Sequence, residues 1–155
     1  MTHAVLALGS NLGDRAGAIA EAARRIAELP GVDLVAASTA HESVALTPSG
    51  PDADAPAYLN AVVAVETVLD PEQLLDAVNA IESELGRQRG ERWADRTIDI
   101  DIVVFGQLQL KSQRLVIPHP GAAQRTFVLE PWLEIEPDAV IPGLGPVREL
   151  LGGLR

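Results

Sequence analysis

An α+β ferredoxin-like plait, a mostly antiparallel sheet with helices packed on it and long functional loops, is the fold class this sequence predicts. Its hydrophobic periodicities run strand, helix, strand, strand, helix, strand, the order of a split β-α-β plait. A length of 155 residues suits one core, so residues 1–155 are expected to form a single domain. Hydrophobic residues at 47% and charged residues at 22% are ordinary proportions for a globular chain and exclude disorder or a fibrous repeat.

The first strand is the continuously apolar run Ala4 to Leu8, which ends at Gly9-Ser10-Asn11. A tight turn and a capped helix start account for Gly9, Gly13 and Asp14. From Asp14 a helix is predicted, because Ile19, Ala22, Ala23, Ile26 and Leu29 recur at helical spacing until Pro30-Gly31 stops them. Val32 to Ala37 reads as a second strand. Thr47 to Pro56 holds three prolines, a glycine and two aspartates, so it reads as a loop of functional length. The valines and alanines of Tyr58 to Glu66 make a strand with Leu59, Ala61, Val63 and Val65 on one face and Tyr58, Asn60 and Val62 on the other. Asp70-Pro71-Glu72-Gln73 opens the second helix with a capping residue and a proline tolerated at its first position. Leu74, Val78, Ile81 and Leu85 form the apolar stripe of that helix before Gly86. Ile98 to Phe105 is the next strand; a turn at Pro118-His119-Pro120, a helix near Gln124 to Leu133 and a short helix near Val147 to Leu151 follow.

Composition narrows the function. With no cysteine the chain has no disulfide, thiolate metal site or cysteine nucleophile, which agrees with a cytoplasmic home. No leader-like start and no apolar run of bilayer length is present, so neither export nor membrane contact is expected. The net charge of −10 has the wrong sign for non-specific nucleic-acid binding. Yet eleven of the twelve basic residues are arginine, and Arg87, Arg89, Arg92 and Arg96 fall in one ten-residue stretch whose only acids are Glu91 and Asp95. Arginine's planar fork suits phosphate oxygens, so the cluster is either a solvated charged loop or the seat of a small polyanionic ligand.

The sharpest feature is Asp99 and Asp101, which a two-residue strand period puts on one face while Ile98, Ile100 and Ile102 face the core. Aspartate is a poor strand former, and two carboxylates about 6.7 Å apart repel by roughly 2–3 kcal/mol at an effective dielectric of about 20. Such a pair needs solvent or a cation. Hard oxygen donors point to Mg²⁺, held by one or two carboxylates together with substrate phosphates, and the neighbouring arginines favour that reading over an exposed strand face. Gly9 to Asp14 is not a P-loop, because it lacks the GK[ST] ending and the chain's one lysine is Lys111. Nor does it match the dinucleotide-binding GxGxxG pattern. Among five aromatic residues, Trp93 stands inside the arginine stretch, where ligand or lid packing is favoured over core. Tyr58, Asn60 and Phe127 are each readable as core, as edge strand or as walls for a flat heterocycle; Trp132 reads as core. His119, between two prolines, is a site residue or a structural turn.

Together these residues make up a pattern. Gly9-Ser10-Asn11-Leu12-Gly13-Asp14-Arg15, Tyr58-Leu59-Asn60-Ala61-Val62, Gly86-Arg87-x-Arg89-x-x-Arg92-Trp93-x-x-Arg96-Thr97-Ile98-Asp99-Ile100-Asp101, and Pro118-His119-Pro120 with Arg125 and Phe127 occur in order almost end to end. In these blocks the chain resembles bacterial hydroxymethyldihydropterin pyrophosphokinases of the folate pathway. The resemblance implies transfer of pyrophosphate from ATP to the hydroxymethyl oxygen of a reduced pterin, with release of AMP. It implies two Mg²⁺ ions on Asp99 and Asp101, and Arg87 and Arg96 as catalytic cations. Tyr58, Asn60, Phe127, Trp93 and the Thr47-Pro48 segment would meet the pterin. Asn79, Glu82, Arg89, Arg92, Ile102, Arg114, His119 and Arg125 would meet ATP, with Arg89, Arg92 and Trp93 on a loop that closes over the site.

Two departures stand out. The family commonly has a Thr/Ser-x-Pro-x-Gly segment before the pterin strand; the longer Ser43 to Gly50 stretch aligns through either Ser43 or Thr47, and Thr47-Pro48 is preferred for its distance to Tyr58. Trp93-Ala94-Asp95-Arg96 replaces the usual Trp-Gly-Pro-Arg and adds a negative charge to the lid. A monofunctional monomer acting on small molecules is expected, without nucleic acid or membrane. The rival reading is a non-catalytic ferredoxin-like module that binds a nucleotide or pterin and regulates.

Overall fold

The computed structural model describes residues 1–10, 15–43, 46–47, 50–51, 58–88 and 98–154, with residues 15, 43, 46–47, 50–51 and 86–88 described by backbone alone. The chain begins with β1 (Thr2–Ser10), α1 (Arg15–Ala27) and β2 (Val32–Ala37). Three short strands, β3 (His41–Ser43), β4 (Leu46–Thr47) and β5 (Gly50–Pro51), precede the long β6 (Tyr58–Thr67). Next come α2 (Pro71–Gln88), β7 (Asp99–Phe105), and the short β8 (Leu110–Lys111) and β9 (Val116–Ile117). A 3-10 turn at Ala122–Gln124 leads into α3 (Thr126–Ile135), and β10 (Val140–Ile141), β11 (Gly145–Pro146) and α4 (Val147–Leu154) complete the chain.

The main sheet runs β2-β6-β1-β7, with β3 continuing the β2 row alongside β6. Every pairing in it is antiparallel. Counting only the four long strands by chain order, the spatial order is second, third, first, fourth, so the ferredoxin-like plait expected from the sequence is the observed fold. Strand alternation sends Ala4, Leu6, Leu8, Ala61, Val63, Val65, Ile100 and Ile102 to one face, where they meet Ile19, Ala22 and Ile26 of α1 and Leu74, Val78, Ile81 and Leu85 of α2. Val5, Val62 and Val103 face the other way, into a second core with Val128, Leu129 and Trp132 of α3 and Val147 and Leu151 of α4. Trp132 is 1% exposed, as its reading as core requires.

The second helix starts as its sequence predicts. Asp70 Oδ1 accepts the Gln73 amide at 2.8 Å and Gln73 Oε1 accepts the Asp70 amide at 2.9 Å, a reciprocal capping box ahead of Pro71. Its end differs: the helix runs through Gly86 to Gln88, so Arg87 belongs to its last turn. Gly9 also departs from expectation. It is no turn residue but a paired strand position, with Asn60 and Asp99 as its neighbours on either side. The predicted loop from Thr47 includes part of a two-stranded ribbon, in which Leu46 faces Pro51 and Thr47 faces Gly50. Among the described residues no helix is long and apolar enough to cross a membrane.

Candidate active site

The site lies on the α3 side of the sheet, beyond the end of the second core. Register alone assembles it. Asn60, Gly9 and Asp99 form one row across β6, β1 and β7, and Val62, Ala7 and Asp101 form the next. At about 4.8 Å per strand, Asn60 and Asp99 stand roughly 10 Å apart across the central strand. The residues between them are glycine and alanine, so the middle of the sheet becomes a trough with an amide on one bank and carboxylates on the other. Gly9 has no positive φ. What glycine leaves is space, because a Cβ there would crowd Asn60 Oδ1 at 3.3 Å and touch the Tyr58 ring at 4.0 Å.

The start of α3 roofs the trough. Tyr58, Asn60, Asp99, Asp101, Arg125 and Phe127 line one cleft of about 320 Å³ whose floor is Ala7, Leu8 and Gly9. The Arg125 guanidinium carbon lies 5.9 Å from the centre of the Phe127 ring, in range for a cation–π contact. Gly121 permits this placement, since a Cβ there would come within 3.1 to 3.2 Å of the guanidinium.

Around the carboxylates the backbone is tied down. Glu82 Oε2 accepts the amide of Ile100, the residue between the two aspartates, at 2.8 Å. His119 Nδ1 accepts the Gly121 amide at 3.1 Å, which leaves the proton of the neutral ring on Nε2, and that atom faces Asp101 Oδ2 at 4.0 Å. The Asp101 side chain is 47% exposed, so the pair is open to an incoming ligand. Among the described residues no group of three or more His, Asp or Glu side chains is arranged to hold a metal ion. Two carboxylate donors without nitrogen ligands match the demand of Mg²⁺, which takes few protein oxygens and completes its shell with phosphates and water.

Other predicted residues stand apart from the cleft. Asn79 is exposed on α2, one turn from Asp76. Arg114 bonds Asp76 and Glu72 of the same helix, and the Asp76 carboxylate holds its guanidinium pKa above the usual value. Ile102 is buried in β7, opposite Leu6. Thr47 and Arg87 are described by backbone only, while Pro48, Arg89, Arg92, Trp93 and Arg96 lie outside the described residues. Ser43 pairs opposite Tyr58 at the cleft end of β6, whereas Thr47 belongs to the separate β4-β5 ribbon. Sequence reasoning misses Ala7 and Gly9 as the trough floor. Their small size beside Asn60 and Asp101 is a signal only once the register is known.

The profile of the 7,8-dihydro-6-hydroxymethylpterin-pyrophosphokinase (HPPK) family matches residues 5–137. This chain belongs to the HPPK family. A Methylorubrum extorquens HPPK relative, named 2-amino-4-hydroxy-6-hydroxymethyldihydropteridine pyrophosphokinase, is 45% identical over 99% of this chain and 94% of its own. A Haemophilus influenzae protein of the same name is 40% identical over 97% of this chain and 92% of its own. Among solved structures, Plasmodium falciparum HPPK-DHPS in complex with pteroate superposes with a TM-score of 0.73 at 18% identity, covering 98% of this chain and 42% of that one. This chain therefore spans less than half the length of that solved chain, and the likeness at such low identity is one of fold.

Proposed function

We propose that this HPPK-family chain transfers the pyrophosphoryl group of ATP to the hydroxymethyl oxygen of 6-hydroxymethyl-7,8-dihydropterin, releasing AMP in the synthesis of folates. The observation that carries the reading is the trough, with an amide and an aromatic wall at one bank and two same-face aspartates about 10 Å away at the other. A flat pterin fits between Tyr58 and Phe127. Asn60 offers its ring N–H groups an oxygen acceptor, and the hydroxymethyl arm extends along Gly9 toward Asp99 and Asp101.

Asp99 and Asp101 would hold two Mg²⁺ ions with the triphosphate; bound there, Mg²⁺ supplies Lewis-acid neutralisation of the phosphate oxygens. In the transfer, the hydroxymethyl oxygen bonds to the β-phosphorus as that phosphorus loses its bond to the oxygen of the α-phosphate. AMP leaves, and the hydroxyl proton passes to solvent. Positioning and charge neutralisation carry most of such a reaction. Arg87 and Arg96 would neutralise the moving phosphoryl group, and Arg125 and His119 would hold phosphate oxygens. Arg89, Arg92 and Trp93 would close over the bound pair, Thr47-Pro48 would flank the pterin, and Asn79, Glu82, Arg114 and the Ile102 backbone would serve the nucleotide side. The chain is proposed to work as a single-domain monomer in the cytoplasm.

Incubation with Mg-ATP and hydroxymethyldihydropterin tests the reading by chromatography of the nucleotide products. AMP formed in step with the pterin diphosphate is the expected result. Formation of ADP, or ligand binding with no nucleotide product, would replace the transferase by a phosphokinase or by the regulatory module.

A further inference from the structure

Glu134, near the far end of α3, bonds a segment remote from it in sequence, the span between β2 and β3. Its Oε1 accepts the Thr39 hydroxyl at 2.6 Å, its Oε2 accepts the Thr39 amide at 2.9 Å, and the His41 ring nitrogen Nε2 lies 3.4 Å from the same Oε2. Thr39 and His41 belong to the short span that leaves β2 and enters β3. Within it, Ser38 is stitched to the middle of β6, its amide donating to the Val62 carbonyl and its hydroxyl accepting the Val62 amide, both at 2.9 Å.

This span leads straight to the candidate site. The His41 carbonyl accepts Asn60 Nδ2 at 3.4 Å. A carbonyl can only accept, so the contact sets which end of the Asn60 amide is nitrogen and turns Oδ1 toward Gly9 on the trough floor. Glu134 also acts on the opposite wall. Phe127 and Glu134 are seven residues apart, two helical turns, and so share one side of α3. The carboxylate thus pins the segment that orients Asn60 to the helix that carries Phe127.

We propose that Glu134, through Thr39, is a positioning residue that fixes the Asn60 amide and the gap between the β6 wall and Phe127, and so sets affinity for the flat heterocycle and not for the nucleotide. The proposal rests on the pterin reading of the cleft. It deepens that reading by naming a residue far from the reacting atoms that tunes one substrate of the two.

Steady-state kinetics of the full chain test it, with Glu134→Gln, Thr39→Val and Thr39→Ser compared after circular dichroism has shown each to be folded. Glutamine removes the charge and keeps a single acceptor oxygen for the Thr39 amide and hydroxyl, and valine removes the hydroxyl while keeping the shape. For both, KM for hydroxymethyldihydropterin is expected to rise about tenfold, the worth of one hydrogen bond to a charged group, with KM for ATP changed less than about twofold. Thr39→Ser restores the hydroxyl and should restore the pterin KM. Should Glu134→Gln not fold, the Val and Ser pair at position 39 carries the test alone. An unchanged pterin KM in the folded variants overturns the proposal, as does an equal rise in both KM values or a serine variant no better than valine. Absence of AMP formation by the unaltered protein overturns the pterin reading itself; turnover by that protein with unaffected variants overturns only the role of Glu134.

Discussion

Single atoms decide this site. Asp99 and Asp101 are legible from sequence because strand alternation is strict and aspartate is out of place in a strand, so the pair reads as a candidate cation site. Asp101→Ala is expected to lower turnover by at least about a hundredfold, since several kcal/mol of charge neutralisation in the transition state go with it. Its melting temperature without metal should be equal or higher, because a like-charge repulsion has been removed. Near-normal turnover would contradict the metal assignment. Gly9 is not legible in this way. A glycine at the end of an apolar run reads as a turn, and only pairing to Asn60 and Asp99 reveals that the missing Cβ is the point. Gly9→Ala puts a methyl group 3.3 Å from Asn60 Oδ1. We expect a pterin KM raised several-fold by overpacking of the trough, with a smaller change for ATP, measurable in the same steady-state assay.

Among the elements, the long ones are readable from the chain and the short ones are not. The helix from Pro71 carries its start signal in four consecutive residues and its buried face at helical spacing. Asp70→Ala, which removes half of the capping box, is expected to cost about 0.5–2 kcal/mol by urea unfolding with no change in pterin KM. β3 escapes because three residues hold no periodicity, and its existence depends on pairing with the part of β6 that β2 leaves open. The same holds for the ribbon of Leu46–Thr47 and Gly50–Pro51, where proline and glycine read as loop. Register at Ser43, opposite Tyr58, likewise does not follow from spacing along the chain, since a preference for Thr47 rests on linear distance to Tyr58. Glu82 shows how an element serves the site indirectly. It closes the amide of Ile100 at the outer side of β7 and so holds the strand between its two aspartates.

The whole molecule combines an acidic balance of charge with one arginine-rich stretch, a contrast that composition and residue order alone reveal. Stability should follow its carboxylates. The Thr39 hydroxyl holds the Glu134 carboxyl below its ordinary 4.5, and the Arg24 guanidinium does the same for Glu21. Groups lowered on folding add stability above their unfolded pKa and lose it as pH falls through the folded value. The melting temperature is therefore expected to stay level from neutral pH to about pH 5 and to fall below about pH 4.5, less steeply in Glu134→Gln. Calorimetry across pH 3 to 8 would show an equal slope for both proteins if the Thr39 contact contributed nothing.

The most direct measurement is anomalous diffraction from crystals of this chain grown with a non-hydrolysable ATP analogue, hydroxymethylpterin and Mn²⁺ in place of Mg²⁺. Manganese peaks within about 2.5 Å of the carboxylate oxygens of Asp99 and Asp101, bridging to the nucleotide phosphates, are the expected result. Phosphates bound with no manganese at either aspartate, or manganese bound elsewhere, would contradict it.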